Sequence, residues 1–371
     1  MRRELEQLEI PGEHEARERT WAVVAAAHAA REPSRGRRRP WVAAVALALA
    51  GAVVTAAVSS PGRALLRSLR EQVGVERAAP ALFRLPAGGR LLVSSDGGVW
   101  VVGRDGGRRR LGAYLSASWS PHGRYVVATR RNSLYALTPA GEERWSLARP
   151  GVRFPRWAGS DVDTRIAYLT GSRLHVVAGD GRGDVDAGGL PAAARVPPAW
   201  RQSRRFWVAY ADTRGRVTVY GPQAGAVLFR TAPLDHPRVL EWSRGDRLLV
   251  VTRTALELYG AQGQRVRRIP LRGVTAAAFA PDGRSIAIAR GSELLLADVA
   301  RRRVRRLFAG GSALAGVAWS PDGRWLLTAL PAADQWVFVR ASGGRIEAVS
   351  NVSAQFRSQR FPRVEGWCCA G

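Results

Sequence analysis

Short runs of apolar residues alternate with turn residues along most of the chain, and this pattern predicts an all-β protein. Gly, Pro, Asp or Asn lies near many of the run ends, where turns require such residues. One motif recurs at 118–124, 278–284 and 318–324: an aromatic residue, then Ser or Ala, Pro, Asp or His, Gly and Arg. A period of about 40 residues with four strand patterns per period predicts a β-propeller.

An aromatic residue opens each period. The openers are Trp119, Trp157, Trp200, Trp242, Phe279 and Trp319. We expect each ring to fill the core between neighbouring blades, because a large flat side chain buries the most area there. Seven second strands align, from 91–93 to 325–328, and seven third strands align, from 99–102 to 336–339. Arginine-bearing fourth strands follow, such as 108–111 and 304–307.

The missing seventh opener is predicted at the far end of the chain. Residues 361–367 approach Trp367 through a proline, as residues 154–157 approach Trp157. The last blade is therefore expected to take its first strand from the C-terminus and its other three from the segment that begins at Leu85. This closure leaves no open sheet edge, which is otherwise a site of aggregation.

A candidate membrane span precedes the repeats. The segment from Trp41 to Ser60 carries no charge, and about 20 apolar residues suffice to cross a bilayer. It follows an arginine cluster at 35–39, which predicts a cytoplasmic N-terminus and an extracytoplasmic propeller. The alternative is a cleaved signal peptide that ends near Ala57 or Ser59.

Two amphipathic segments flank this span. The segment from Gly12 to Glu32 predicts one helix that Pro33 ends, and it either lies on the membrane or binds a cytoplasmic partner. The segment 62–75 predicts a juxtamembrane helix within a stalk. The predicted organisation is a cytoplasmic segment (1–40), a transmembrane helix (41–60), a stalk (61–84) and the propeller (85–371).

The chain is strongly basic, with a formal net charge of +27, and all 57 of its basic residues are arginine. Residues 61–371 carry most of the excess. One interpretation is attraction to anionic material such as lipid headgroups or wall polymers. The other is arginine scattered over a solvated surface by coding bias. The predicted topology argues against a nucleic-acid partner.

The motif copies at 118–124, 278–284 and 318–324 resemble the TolB-type, WD-like β-propeller repeat over roughly residues 85–371. The resemblance implies an extracytoplasmic protein-interaction platform and says little about activity. The order of a short cytoplasmic helix, one span and an external domain also resembles membrane-bound anti-sigma regulators. No Cys/His zinc pattern occurs in residues 1–40, so the zinc-binding type of anti-sigma domain is not supported.

No motif points to catalysis, a cofactor or a metal. The run 180–186 holds Asp180, Asp184 and Asp186, but it lacks the later Glu of a calcium loop, so a solvated hairpin turn is the better interpretation. The five histidines are dispersed: His14, His28, His122, His175 and His236. No nucleophile elbow or metalloprotease helix occurs.

The two cysteines, Cys368 and Cys369, are neighbours at the C-terminus. Two states are open: a disulfide between neighbours, or packing as small apolar residues beside the closing strand, which we favour. The sequence thus predicts a non-catalytic, membrane-anchored binding or sensing module with an unidentified protein or envelope ligand. The alternative is an extracytoplasmic hydrolase or lyase with a site at the central channel. Clustered acids and histidines at the channel mouth favour the enzyme, and an aromatic patch favours binding.

Overall fold

The structure is a computed structural model that describes residues 84–160, 163–187, 190–201, 206–301 and 303–369. Three predicted segments therefore lie outside the described residues: the helix from Gly12 to Glu32, the span from Trp41 to Ser60 and most of the stalk. Within the described ranges, no helix is long and apolar enough to cross a membrane.

Seven four-stranded antiparallel sheets make up the domain, and each sheet is one blade of a propeller. Blade 1 combines β28 with β1–β3, and blades 2 to 7 each use four consecutive strands. The strand bounds, blade by blade, are β28 (Arg363–Cys368), β1 (Arg90–Ser95), β2 (Gly98–Val102), β3 (Arg108–Gly112); β4 (Ser116–Trp119), β5 (Val126–Arg130), β6 (Ser133–Leu137), β7 (Glu143–Ala148); β8 (Val152–Gly159), β9 (Thr164–Thr170), β10 (Arg173–Ala178), β11 (Val185–Asp186); β12 (Ala199–Trp200), β13 (Val208–Ala211), β14 (Val217–Gly221), β15 (Ala226–Arg230); β16 (Val239–Trp242), β17 (Leu248–Val251), β18 (Ala255–Tyr259), β19 (Arg265–Pro270); β20 (Val274–Phe279), β21 (Ser285–Arg290), β22 (Glu293–Asp298), β23 (Val304–Ala309); and β24 (Ala315–Trp319), β25 (Trp325–Leu330), β26 (Gln335–Arg340), β27 (Ile346–Val349).

The predicted closure of the ring by the C-terminus is confirmed. β28 pairs antiparallel with β1, and Trp367 lies opposite Leu91. The side chain of Trp367 is 7% exposed, and its ring packs edge-on against Phe338 of blade 7. The last strand of the chain is therefore the innermost strand of the blade that the first strands begin.

The first strands of neighbouring blades touch one another around the ring, so they form its innermost layer. The openers lie at or near the ends of these strands and are buried, as predicted. Two openers also bond to the preceding blade across the seam, the interface between two neighbouring blades. The indole Nε1 of Trp200 donates to Arg156 O (2.8 Å), and that of Trp319 donates to Ala278 O (3.0 Å). Each acceptor precedes the opener of the previous blade.

One feature between blades 7 and 1 is absent from the prediction. A short helix, α1 (Val352–Gln355), is followed by Phe356, whose side chain is fully buried. The Phe356 ring packs against Trp100 of blade 1 and Trp336 of blade 7, with centroids 5.8 and 5.2 Å apart. A 3-10 turn (Pro331–Ala333) joins β25 to β26 in the same region.

Candidate functional site

The first turn of each blade lies on one face of the ring, which we call the first-turn face. The repeated motif builds these turns. The hydroxyl oxygen of Ser120 accepts a hydrogen bond from the amide of Tyr125 (2.9 Å), and Ser320 does the same for Trp325 (2.9 Å). Gly123 has a left-handed φ of 65°, which glycine adopts without strain. The Ser and Gly of the motif are thus explained by turn geometry.

A cavity of about 810 Å³ opens at the centre of this face. The ends of the first strands and the prolines of the first turns, Pro121, Pro281 and Pro321, surround it. Its size falls within the range of about 300–1,000 Å³ that is typical of ligand pockets. Two acids, Glu241 and Glu365, lie in its wall.

Glu241 is the residue before the opener Trp242. The same register position in the other blades holds Ser118, Arg156, Ala199, Ala278, Ala318 and Gly366. In the structure, the Glu241 carboxylate accepts one hydrogen bond, from the amide of Phe279 in the next blade (3.0 Å). Burial raises the pKa of Glu241 to about 8, and the Phe279 amide opposes this only in part. The carboxyl group is therefore mostly protonated at neutral pH.

Glu365 is held differently, because it has two donors. It accepts a hydrogen bond from the hydroxyl of Ser94 (2.8 Å) and another from Arg363 Nε (2.9 Å). It also interacts with the guanidinium of Arg156, whose Nη1 donates to Pro155 O (3.0 Å). Burial lowers the pKa of Arg156, and Glu365 partly compensates. Glu365 thus serves as the counter-charge of two arginines.

Glu241 is a candidate proton donor, and the other titratable side chains in the wall of the central cavity are Glu365, His122, Arg124 and Arg244. Glu241 forms no ion pair within the described part of the chain, and no group there of three or more His, Cys, Asp or Glu side chains has metal-binding geometry. His122 is exposed in the first turn of blade 2, beside the cavity. The remaining wall combines the edges of buried aromatic openers with serines, prolines and arginines.

The cysteine pair lies at the rim of the cavity. The structure joins Cys368 and Cys369 in a disulfide, against our preference for two packed thiols. Cys369 has a left-handed φ of 56°, which breaks the alternation of the strand and brings the two side chains together. Both sulfur atoms lie near the first turn of blade 2, at Ser120 O and Pro121 O.

The three aspartates of the run 180–186 have separate partners. Asp184 binds Arg149 and the Tyr168 hydroxyl, and Asp186 pairs with Arg173 (2.9 Å). Asp180 accepts a hydrogen bond from the amide of Arg182 (3.0 Å) within its own turn. The carboxylates therefore act as structural partners of other groups. His175 stacks on Tyr168, and His236 lies beside Asp235.

Sequence reasoning did not single out Glu241 and Arg156. Both precede an opener in the sequence, and strand alternation turns that position away from the buried ring. Five of the seven residues at this position are small, so the two charged ones stand out once the register is known. That signal was available in the repeat alignment.

Comparisons with known proteins place the repeat and the fold. The WD40 family (WD domain, G-beta repeat) matches residues 302–339, which include most of blade 7 and the end of blade 6. No curated protein sequence matches the chain.

Two solved structures resemble the fold. A chain of a mitotic checkpoint complex is 16% identical with a TM-score of 0.55, covering 72% of this chain and 90% of that one. A chain of Kuenenia stuttgartiensis hydrazine synthase is 13% identical with a TM-score of 0.51, covering 60% and 75%. At these identities the likeness concerns the fold alone. One relative is an enzyme by name and the other belongs to a complex, so the fold does not decide between catalysis and binding.

Proposed function

We propose that this protein is a non-catalytic, membrane-anchored binding or sensing module whose extracytoplasmic propeller engages a protein or envelope ligand through the first-turn face. The observation that carries the proposal is the open cavity of about 810 Å³ at the centre of that face. WD40 propellers are commonly protein-interaction scaffolds, and one structural relative belongs to a protein complex. In this proposal the segment from Gly12 to Glu32 contacts the membrane or a cytoplasmic partner.

The charge of the first-turn face supports a ligand with negative groups. Arg124, Arg244, Arg284 and Arg324 project from four first turns and are exposed. Acidic surfaces are attracted to such a rim, while basic ones are repelled. We include in this proposal a relationship to TolB-type propellers, because the three motif copies that resemble the TolB-type repeat also form the turns of this face.

The proposal is tested by photo-cross-linking from matched positions in full-length protein in its native membrane. Arg284 and Arg290 are both exposed, and they lie at opposite ends of β21 on opposite faces of the ring. We expect a discrete adduct from a photoreactive residue at 284 and none from one at 290. Equal adducts from both positions, or adducts only from 290, would refute a binding role for the first-turn face.

The predicted membrane topology needs its own experiment. Protease added to intact cells is expected to digest the propeller or a reporter fused after 371, and to leave a tag before residue 1 intact. A protected propeller in intact cells that becomes sensitive after lysis would overturn the extracytoplasmic placement.

The second candidate is an extracytoplasmic hydrolase or lyase, and Glu241 is the observation that favours it. A carboxyl group that keeps its proton near neutral pH is suited to general acid catalysis. A panel of chromogenic ester and glycoside substrates tests this candidate. Turnover by the wild type that Glu241→Gln abolishes would establish the enzyme and refute the non-catalytic proposal.

A further inference from the structure

A second cavity lies on the first-turn face, in the seam between blades 2 and 3, and has a volume of about 360 Å³. Tyr125, Trp145 and Trp157 form its aromatic walls. We call it the aromatic cleft. It borders the central cavity, since Pro121 and His122 line both. The aromatic cleft is therefore accessible to the same partner that covers the centre of the face.

The rings of the aromatic cleft are held in place without a ligand. Tyr125 stacks on Trp157, with ring centroids 6.1 Å apart and an interplanar angle of 17°. Trp145 Nε1 donates to Gly179 O in blade 3 (2.9 Å), so the indole cannot rotate without losing this bond. Tyr125 nevertheless remains 37% exposed. The walls are thus preorganised, which reduces the entropy lost on binding.

Three other blades place arginine where blade 2 places Tyr125, and blades 4 and 7 place tryptophan there, Trp207 and Trp325. Tyr125 precedes the residue that pairs with the opener of its blade, and Arg90 and Arg165 hold this position in blades 1 and 3. Their guanidinium groups lie over an aromatic ring of the next blade: Arg90 is 5.1 Å from the Trp119 ring, and Arg165 is 5.4 Å from the Phe206 ring. Those seams are covered by the chain itself.

The same contrast holds on the outer strand. Trp145 pairs with Ala136, and Arg267 and Arg305 hold the matching register in blades 5 and 6. Arg267 Nη1 donates to Asp298 O (2.7 Å) and Arg305 Nη2 to Ala341 O (2.5 Å), both in the following blade. Blade 2 also forms a hydrogen bond to the following blade from this position, but the donor is the indole of Trp145, which adds an apolar wall to the cleft.

The seam between blades 4 and 5 shows which kind of group fits between such rings. Blade 4 places Trp207 at the position of Tyr125, and the buried guanidinium of Arg201 lies 4.2 Å from the Trp207 ring and 5.7 Å from the Trp242 ring. A planar group is therefore a suitable occupant of an aromatic seam. In the aromatic cleft the corresponding rings, Tyr125 and Trp157, stack on each other, and the open space lies beside them, along Trp145.

The charges around the aromatic cleft disfavour a ligand that carries a guanidinium group. Arg124 and Arg144 lie in its lining and are exposed. Among the described residues, Asp180 is the acid of the lining, and its Oδ1 already accepts from the Arg182 amide. Two cations against one engaged acid repel a cationic group and attract a carboxylate. Tyr, Trp and Arg are also the residues most enriched at the energetic centres of protein interfaces.

We propose that the aromatic cleft binds an aromatic side chain from an acidic peptide segment of a protein partner, with Arg124 and Arg144 holding the flanking carboxylates. The inference rests on the proposed binding function and names the chemistry of its ligand. The aromatic ring of the partner enters the open cavity and packs against the rings of Tyr125 and Trp145 in its wall. The carboxylates face the two exposed guanidinium groups at the rim.

The test is peptide display on the intact protein followed by binding measurements. Random peptides are selected on the wild type, with counter-selection on the double variant Tyr125→Ser and Arg144→Glu. Ser occupies the Tyr125 position in blade 6, as Ser285, so the fold tolerates it there. We expect the selected peptides to carry an aromatic residue within a cluster of Asp and Glu.

Fluorescence anisotropy then measures two labelled pentapeptides, Glu-Asp-Phe-Asp-Glu and its Ala-centred analogue. We expect Tyr125→Ser and Arg144→Glu each to weaken binding of the Phe peptide about tenfold or more, which corresponds to loss of one hot-spot contact. Arg303→Glu is the matched control, because Arg303 is exposed on blade 6 away from the cleft, and binding should be unchanged. Raising the salt from about 50 to about 500 mM should weaken binding of both peptides.

Several results would overturn the inference. They are selection of arginine-rich or neutral peptides, equal binding of the Phe and Ala peptides, or equal losses in Arg303→Glu and Arg144→Glu. Binding of an anionic oligosaccharide with the same dependence on Tyr125 and Arg144 would replace the peptide with a glycan. Unfolding midpoints of all variants are measured first to confirm the fold. If a cross-linked adduct forms from position 284 but Tyr125→Ser and Arg144→Glu leave peptide binding unchanged, the proposed function stands and only the assignment of the aromatic cleft is refuted.

Discussion

The closing strand makes a strong prediction: replacing Trp367 with Ala should destabilise the whole ring. The side chain is 7% exposed, stacks edge-on with Phe338 (5.7 Å) and donates from Nε1 to Gly88 O (3.0 Å). Truncating a buried Trp to Ala costs about 3–5 kcal/mol, because it removes apolar burial and leaves a cavity. Domains are stable by about 5–15 kcal/mol in total, so this is a large fraction.

A conservative replacement distinguishes the contribution of the Trp367 aromatic ring to stability from that of its hydrogen bond. Trp367→Phe keeps an aromatic ring at a position where blade 6 uses Phe279, and it removes the indole donor. We expect a loss of about 1 kcal/mol, the usual net value of one hydrogen bond. Urea unfolding followed by far-UV circular dichroism gives both free energies.

Truncation tests whether the stabilisation comes from closure. A chain that ends at Arg360 loses β28 and exposes the inner edge of β1, to which β28 is paired. We expect this chain to unfold at a lower urea midpoint, and a synthetic peptide with residues 361–371 to raise the midpoint again. A wild-type midpoint for the truncated chain, or a change under about 1 kcal/mol in Trp367→Ala, would refute the closing role.

Three further predictions concern charges and the cysteine pair. Because burial raises the pKa of Glu241 to about 8 from an ordinary 4.5, the folded state holds a proton that the unfolded chain releases, so stability falls as pH rises through this window. Glu241→Gln should therefore be increasingly stabilising between pH 5 and 8 relative to wild type, and a pH-independent difference in urea unfolding would contradict this sign. Asp246→Asn should cost about 2 kcal/mol, since it leaves the buried Arg201 guanidinium without its carboxylate, and a thermal midpoint equal to wild type would contradict that role. Cys368 and Cys369 should resist alkylation until reductant is added, as measured by intact mass, and alkylation of both thiols without reductant would contradict the disulfide. Cys368→Ser should lower the free energy of unfolding by less than about 1 kcal/mol, because a bond between neighbouring residues closes almost no chain loop.

The repeat pattern was sufficient to predict the blades because each blade solves the same packing problem. An aromatic opener must bury its ring in the seam, so Trp119 and its equivalents recur at a fixed position. The closing strand was predictable for the same reason, since Trp367 has the approach of an opener and no blade of its own in sequence. Ser120 and Gly123 belong to this group, because their roles are local to one turn.

Features that lie outside the repeat pattern were not predictable. The stretch that contains α1 reads as a polar loop, and its single aromatic residue, Phe356, is buried only because Trp100 and Trp336 meet there from two blades. The cysteine pair is similar: sequence leaves its state open, and the left-handed backbone at Cys369 decides the direction of the side chain. The sequence of the first strand of blade 3 gave no sign of the bulge in β8 between Arg153 and Arg156.

The candidate functional residues form a third case, in which the signal is a departure from the repeat. At the channel position, small side chains are the rule, and Glu241 and Arg156 depart from it. At each of the two positions that cover the seams, arginine occupies three of the seven blades. Blades 2 and 4 place aromatic residues at both positions, Tyr125 with Trp145 and Trp207 with Phe229, but only blade 4 fills its seam with a buried guanidinium, that of Arg201. A residue required for the fold should recur wherever the fold repeats, so a residue that breaks the pattern at an exposed position has a different cause. Tyr125 and Trp145 line an open cavity in the seam between blades 2 and 3, and this is where we direct the experiments on ligand binding.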